Sequence, residues 1–491
     1  MARISKSVNE NIKLIKRLYG NSGDLNTRIL KIGKKNVGIL FMESSSSSST
    51  ISDFIIRSID KIKGETSFFG SLFETLKNNI YNSQIIIVDD FTEFSYYLSA
   101  GFTIIVVDEE EKAIVLETRA DLDRGVSEAT NEPILRGPKD SFTESHAKNL
   151  GLIRKRIKDN NLWFSDIKVG RRTKTRVSIG YISDVVDKDN IERIKDKLSR
   201  INVDGILDSG SLKEYLNKQK TSFPLIQSTE RPDLVSLALL SGKIVILVEN
   251  SPYVLILPVV FSDFLHTSED EFQNPINISF TRILKVIALF ITLFTPAIYI
   301  AITTFDQAVV PNKLLISLAI QREGVPFPTA FEVILLMMIF EILRESDIRL
   351  PANMGASMSI VGALVLGEAA VNASIVSPIA VIVVAITSIC SLIFTDADFI
   401  NGIRMWRLIF ILSATFLGLI GLVSASLCFI LKLSSLENFG VGYLAPISPF
   451  DRKESFGALF KRRSSNIYRR PSFLKVKNKI RQRGVWWKKL F

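Results

Sequence analysis

Between positions 350 and 395 a single charge, Glu368, stands among about 45 residues that are otherwise apolar, small or uncharged polar. A helix rises about 1.5 Å per residue and a bilayer core is about 30 Å thick, so this stretch suffices for two crossings, with Pro378 as the natural break. No other segment constrains the chain as strongly, because an ionisable group at that depth is costly and calls for a functional reason. At about 100° per residue, Ser357, Val361, Leu364, Glu368, Asn372 and Ile375 share one face. Gly355, Ser359, Gly362, Ala369, Ala370 and Ala373 share the opposite one. The small face suits close helix packing, and the first face, polar with an apolar middle, suits a partly wet cavity. The competing reading is that Glu368 and Asn372 simply hydrogen-bond a neighbouring helix.

The flanking residues extend the membrane reading. Residues 286–305 form an uncharged run preceded by Arg282 and Lys285, as expected of a first span entered from the cytoplasm. Residues 312–322 read as amphipathic, and residues 324–328, Gly-Val-Pro-Phe-Pro, break that helix. The next segment, 329–343, is short and carries two intramembrane charges, Glu332 and Glu341. Glu341 with Arg344 and Glu345 with Arg349 have the spacing of local ion pairs, so the segment reads equally well as an ordinary buried helix with paired ends. Residues 408–431 read as the last long span. From Arg452 onward 14 Lys or Arg face one Glu, so the overall charge of +11 belongs to the tail. Such a block beside a membrane is expected to contact anionic lipid headgroups rather than nucleic acid, and to stay cytoplasmic. Five full spans would place it outside, which favours four spans plus a re-entrant or interfacial segment at 329–343. Trp486 and Trp487 beside Lys488 and Lys489 suit an interfacial anchor.

The first 280 of the 491 residues have the composition of a soluble region. Residues 1–20 are charged and lack an apolar core, so this region is expected to remain cytoplasmic. Runs at 37–42, 84–88, 103–107 and 112–117 read as strands, with helices at 51–62, 68–79 and 91–98. The serine run 44–49 lies between strand and helix but lacks the glycines and lysine of a phosphate loop. A second set follows: strand 174–181, helices 190–201 and 211–217, a short run 206–209 between them, a helix opened by Pro232 and Asp233, and a hairpin of 244–248 with 253–257. The expected organisation is a helical lead-in (1–26), two α/β subdomains (27–130 and 131–280), an all-α polytopic membrane domain (281–436) and a basic cytoplasmic tail (437–491). Two cysteines, Cys390 and Cys428, and two histidines, His146 and His266, imply neither a disulfide framework nor a metal site. No nucleophile elbow, phosphate loop or dinucleotide fingerprint is present, so neither a cofactor nor an enzymatic activity is expected.

Six short blocks lie in register across this region: Arg136-Gly137-Pro138, Phe142-Thr143-Glu144, Asn149 with Ile153-Arg154 and Arg156, Thr229-Glu230-Arg231-Pro232-Asp233, Ser241-Gly242-Lys243 and Asn250-Ser251-Pro252. With these blocks the chain resembles the A subunits of the GerA-type nutrient germinant receptors of bacterial endospores, departing at Lys139-Asp140-Ser141, where a glycine usually precedes the Phe. The resemblance implies a subunit of the spore inner membrane that self-associates and works with a transporter-like B subunit and a lipoprotein C subunit. In such an assembly the face described above would form a ring of Glu368, with Val361 and Leu364 as an apolar constriction of a cation pathway. A SpoVAF-like paralogue, associated with dipicolinate release, is the alternative within the same family.

Overall fold

Two five-stranded sheets with the same strand order make up the amino-terminal half. The computed structural model describes residues 4–64, 71–82, 84–120, 132, 134, 136–217, 219, 221–347 and 367–482. In the first sheet β1 (Leu25–Ile32), β2 (Lys35–Met42), β3 (Ile85–Val88), β4 (Thr103–Val107) and β5 (Ala113–Leu116) are ordered β1-β2-β4-β5-β3. In the second, β6 (Leu162–Val169), β7 (Thr175–Ile182), β8 (Gln227–Thr229), β9 (Ile244–Val248) and β10 (Val254–Leu257) are ordered β6-β7-β9-β10-β8. Every pairing is antiparallel, and the registers correspond: Ile39 faces Ile105 in one sheet and Ile179 faces Ile246 in the other.

The duplication extends to local devices. A helix precedes each hairpin, Val8–Leu18 in the first unit and His146–Arg156 in the second. Asn11 accepts from Ser5 N at 2.9 Å and donates to Ser5 O at 2.6 Å, and Asn149 makes the same pair with Thr143 at 2.8 and 2.5 Å. Helices Phe91–Ser99 and Pro232–Ser241 both end just before a left-handed glycine, Gly101 (φ 94°) and Gly242 (φ 96°), which turns the chain into β4 or β9. Period-2 alternation explains why the central strands read as unbroken apolar runs. Ile104 and Val106 meet helices Val8–Leu18 and Phe91–Ser99 on one face, whereas Ile105 and Val107 meet the helices spanning 51–64 and 72–79 on the other.

The units are joined by an enclosed ion pair. Arg154 donates to both carboxylate oxygens of Asp24, and its guanidinium lies 5.1 Å from the Phe164 ring centre. Burial raises the Asp24 pKa, but Arg154, Ser22 and Ser44 outweigh that cost and hold it below the usual carboxylate range.

Among the described residues two helices are long and apolar enough to cross a membrane, Pro275–Thr304 and Ala397–Ser435. The second is not straight. Gly418 has φ 58° and ψ −140°, and the Leu419 N–H that would continue the helix donates instead to Asp306 Oδ2 at 3.0 Å. Phe399 and Phe429 would be about 45 Å apart on one straight helix, yet their rings lie 5.7 and 5.8 Å from that of Phe223. Residues 397–417 and 419–435 are therefore two antiparallel arms, and the single span expected at 408–431 is replaced by a hairpin. Its apex sits on Phe305 and Asp306, at the end of the first long helix. Helices Thr329–Asp347 and Pro378–Ser391 complete the bundle, and the core of the second sheet continues into it without a break.

The helix Asn312–Arg322 buries none of its residues, so it lies on the bundle rather than within it. The expected run at 206–209 is loop leading into helix Ser209–Leu216, and the fifth strand of the second sheet is β8. The tail folds back onto the second sheet region: Lys477 N donates to Val185 O at 2.9 Å, and Arg470 Nε donates to Leu240 O at 2.8 Å.

Candidate functional site: the junction of sheet region and helical bundle

Phe223, on the loop between helix Ser209–Leu216 and β8, is the centre of an aromatic knot. Its ring lies within 6.5 Å of Phe261, Phe399, Phe429 and Tyr443, so it touches the linker after β10, both arms of the hairpin and the tail. Phe264 stacks on Phe399 at 5.0 Å, and Phe261 N donates to Tyr443 O at 2.8 Å. Aromatic pairs of this kind contribute about 0.5–1.5 kcal/mol each beyond their buried area. The contact with the first arm depends on Gly402, since a Cβ there would lie 2.8 Å from Ser222 O and 3.0 Å from the Phe223 ring. One turn on, Trp406 Nε1 donates to Ser222 Oγ at 3.1 Å.

Charges pin the edges of the knot. Lys213 pairs with Asp398 at 2.5 Å, Lys243 with Asp263 at 2.6 Å and Arg282 with Asp270 at 2.6 Å. Asp396 caps the first arm through Phe399 N at 2.8 Å, and burial raises its pKa. Arg282 also donates to the carbonyls of Gly457 and Ala458 at 3.2 Å, so the first long helix grips the tail. His266 Nε2 lies 2.8 Å from Ala458 O. A carbonyl only accepts, so this nitrogen carries the proton, and burial followed by the nearby Arg282 pushes the ring's pKa down to about 4.

The sequence blocks converge just behind this junction. Arg231 is buried and donates to Asp233 and Pro138 O, both at 2.8 Å, and to Glu132 O at 3.3 Å, while Phe142 N donates to Glu230 O at 2.8 Å. Asn149 reaches Ser251 O at 3.4 Å, and Gly242 packs so closely on Val476 that a Cβ would lie 2.3 Å from it. At Lys139-Asp140-Ser141, Asp140 pairs with Arg156 at 2.6 Å. Glu132 accepts from Thr229 at 2.6 Å, and its pKa is pushed up to about 7 by burial, a cost that the Thr229 hydrogen bond only partly offsets.

The intramembrane residues singled out from the sequence separate into three groups. Glu332 is fully buried and accepts from Ser377 N and Oγ, both at 2.8 Å, at the amino terminus of Pro378–Ser391, with Arg322 at 3.4 Å. Glu341 does not take the local partner Arg344. It takes Arg404 and Arg407 from the first arm, at 2.8 and 2.9 Å, because two guanidiniums on the packed helix offer more donors than one on its own turn. Glu368, Asn372, Ala369 and Ala373 are exposed in the single chain, near a short helix at 367–372. Ser357, Val361, Leu364, Gly355 and Gly362 lie outside the described residues, as does Arg349. Sequence reasoning missed the junction and the hairpin apex. The available signals were Gly418 in mid-span and Asp306 at the end of the preceding span. Among the described residues no group of three or more His, Cys, Asp or Glu is placed to hold a metal ion.

Fold and junction define a class: a duplicated two-sheet α/β region fused to an apolar helical bundle and clamped to it by the tail. The chain belongs to the GerA family, since the family described as Bacillus/Clostridium GerA spore germination protein matches residues 13–473. It is 35% identical over 487 residues to spore germination protein KA of Bacillus subtilis (strain 168), covering 98% of this chain and 89% of that protein. Spore germination protein A1 of the same organism is 37% identical over 358 residues, covering 72% of this chain and 74% of that protein. Among solved structures, the N-terminal domain of the A subunit of the Bacillus megaterium spore germinant receptor GerK3 aligns with 27% identity and a TM-score of 0.40, covering 53% of this chain and 98% of that one.

Proposed function

We propose that this chain is a membrane subunit of a spore nutrient germinant receptor, and that copies of it assemble into a nutrient-gated cation channel. The role is non-enzymatic, with a transporter-like B subunit and a lipoprotein C subunit as partners. In the threading this reading requires, Pro275–Thr304 leads away from the sheet region and Thr329–Asp347 returns. Pro378–Ser391 and the two arms of the hairpin supply further crossings. The tail comes back to the sheet region, so both chain ends share one side. A tail on the side of the sheet region satisfies the positive-inside tendency. Spore inner membrane is the location this function implies.

The observation that carries the reading is the knot around Phe223. Sheet region, both hairpin arms and tail meet at one ring, so displacing the sheet region when a ligand binds elsewhere in the complex must move the bundle. The exposure of Glu368 and Asn372 in the single chain leaves that face available to a pathway lined by several copies.

Potassium release and subunit abundance, measured together in spores, test the proposal. Glu368→Gln is expected to lower cation flux at normal abundance, and Leu364→Ser to leak without nutrient. Normal flux in the first variant together with no leak in the second refutes the channel assignment.

A further inference from the structure

A groove of about 570 Å³ runs between helix Thr329–Asp347 and the arm 397–417. Its floor and walls are apolar, with Met337, Met338, Ile342, Met405, Leu408 and Ile411 among the side chains that line it. Met338, Ile342 and Met405 are more than half exposed. One end is different: Glu341, Glu345, Asn401, Arg404 and Arg407 gather there. The opposite end, at Ile334, lies about 10 Å further along the helix from Glu341. The groove is thus a polar mouth leading to an apolar trough.

We infer that this groove is a binding site for an anionic glycerophospholipid of the sheet-side leaflet, its phosphate at Arg404 and Arg407 and one acyl chain along the trough. The inference rests on the membrane threading proposed above. Depth supports it: Trp406, between the two arginines in sequence, touches Ser222 of the sheet region, which sets the mouth level with headgroups rather than acyl chains. Charge supports it as well. Arg404 and Arg407 line the mouth, and the Arg404 side chain stays 27% exposed there. Glu341 and Asn401 engage four of the ten N–H donors that the two guanidiniums carry. A phosphate diester accepts the surplus, and Arg is the side chain suited to hold it in a fork. Volume agrees, since about 300–1,000 Å³ is the range of sites that enclose a ligand of this order.

The test uses the full chain purified from vesicles of equal dioleoyl phosphatidylglycerol and dioleoyl phosphatidylcholine, with retained lipid read by native mass spectrometry. The parent chain is expected to retain phosphatidylglycerol about tenfold over phosphatidylcholine, the scale of one charge-assisted hydrogen bond. Met338→Trp and Met405→Trp fill the trough from exposed positions and leave the ion pairs intact, so each is expected to lose that lipid at an unchanged melting temperature. The paired change Glu341→Gln with Arg407→Gln is expected to abolish the preference between the lipids. Equal retention of both lipids by the parent, or full retention in both tryptophan variants, overturns the inference. So does loss of self-association in the tryptophan variants with no lipid bound to the parent, which makes the groove a contact between copies. Carbonate extraction separates the two levels of the argument: a chain that leaves the membrane refutes the threading, whereas an integral chain without selective lipid refutes the groove alone.

Discussion

Replacing Gly418 by alanine should open the hairpin. The backbone at φ 58° and ψ −140° lies close to a region that only glycine occupies freely, and forcing an L-residue there costs about 1–3 kcal/mol. The added Cβ would also lie 2.8 Å from Asp306 Oδ2 and 2.9 Å from Phe305 Cβ, so the group that caps Leu419 must move. Losing that cap adds about 1 kcal/mol, giving roughly 2–4 kcal/mol in all. A proximity assay reads the result directly. In a chain with Cys390 and Cys428 changed to Ser, cysteines replace Trp406 and Phe429, whose rings lie 4.9 Å apart in the hairpin and whose positions would be roughly 35 Å apart on a straight helix. The parent should cross-link within one chain with a short bis-maleimide. Gly418→Ala should lower both the cross-linked fraction and the melting temperature. Absence of the cross-link in the parent, or an unchanged yield and melting temperature in Gly418→Ala, refutes the reversal.

Glu132 predicts a pH dependence. Its proton is held to about pH 7 in the fold but leaves near the ordinary 4.5 when the chain unfolds, so the folded state binds the extra proton between those values and stability falls as pH rises through that window. Glu132→Gln should therefore match the parent near pH 4.5 and exceed it at pH 8 by up to about 3 kcal/mol in denaturant titration; equal stability at pH 8 counts against the burial of that carboxyl. Arg154→Met leaves Asp24 enclosed without its partner and should cost about 3–5 kcal/mol by the same measurement, with much of the loss recovered by adding Asp24→Asn; no recovery means the loss is of packing rather than charge. For Asp24 the sign is opposite to that of Glu132: its stabilisation is present above the ordinary carboxylate range and is lost as pH falls toward its lowered value. Gly402→Leu should destabilise the chain by about 1–3 kcal/mol by pushing the first arm off Ser222 and Phe223, and protease sensitivity of the Phe223 loop should rise with it; an unchanged digestion pattern argues against a close contact there.

The sequence by itself determined the sheet centres, the membrane character and the family. Runs such as 103–107 and 244–248 are buried at every position because helices cover both faces of each sheet, and helices 91–99 and 232–241 carry their own start and stop signals. Strands β1 and β6 were not legible, since edge strands carry Arg28, Lys31, Asp166 and Lys168 among their apolar residues and blur the alternation. Nor was the duplication, which survives in strand order and in the paired roles of Asn11 and Asn149 rather than in a repeated motif. Tertiary structure alone decided the partner of Glu341, because a charge chooses among all donors brought within reach and not only those one turn away. It also decided the direction of residues 419–435. Hydropathy is a sum along the chain and does not register a reversal. The reversal is set by one glycine's dihedrals and by a carboxylate more than a hundred residues earlier, and these meet only when the helices have packed.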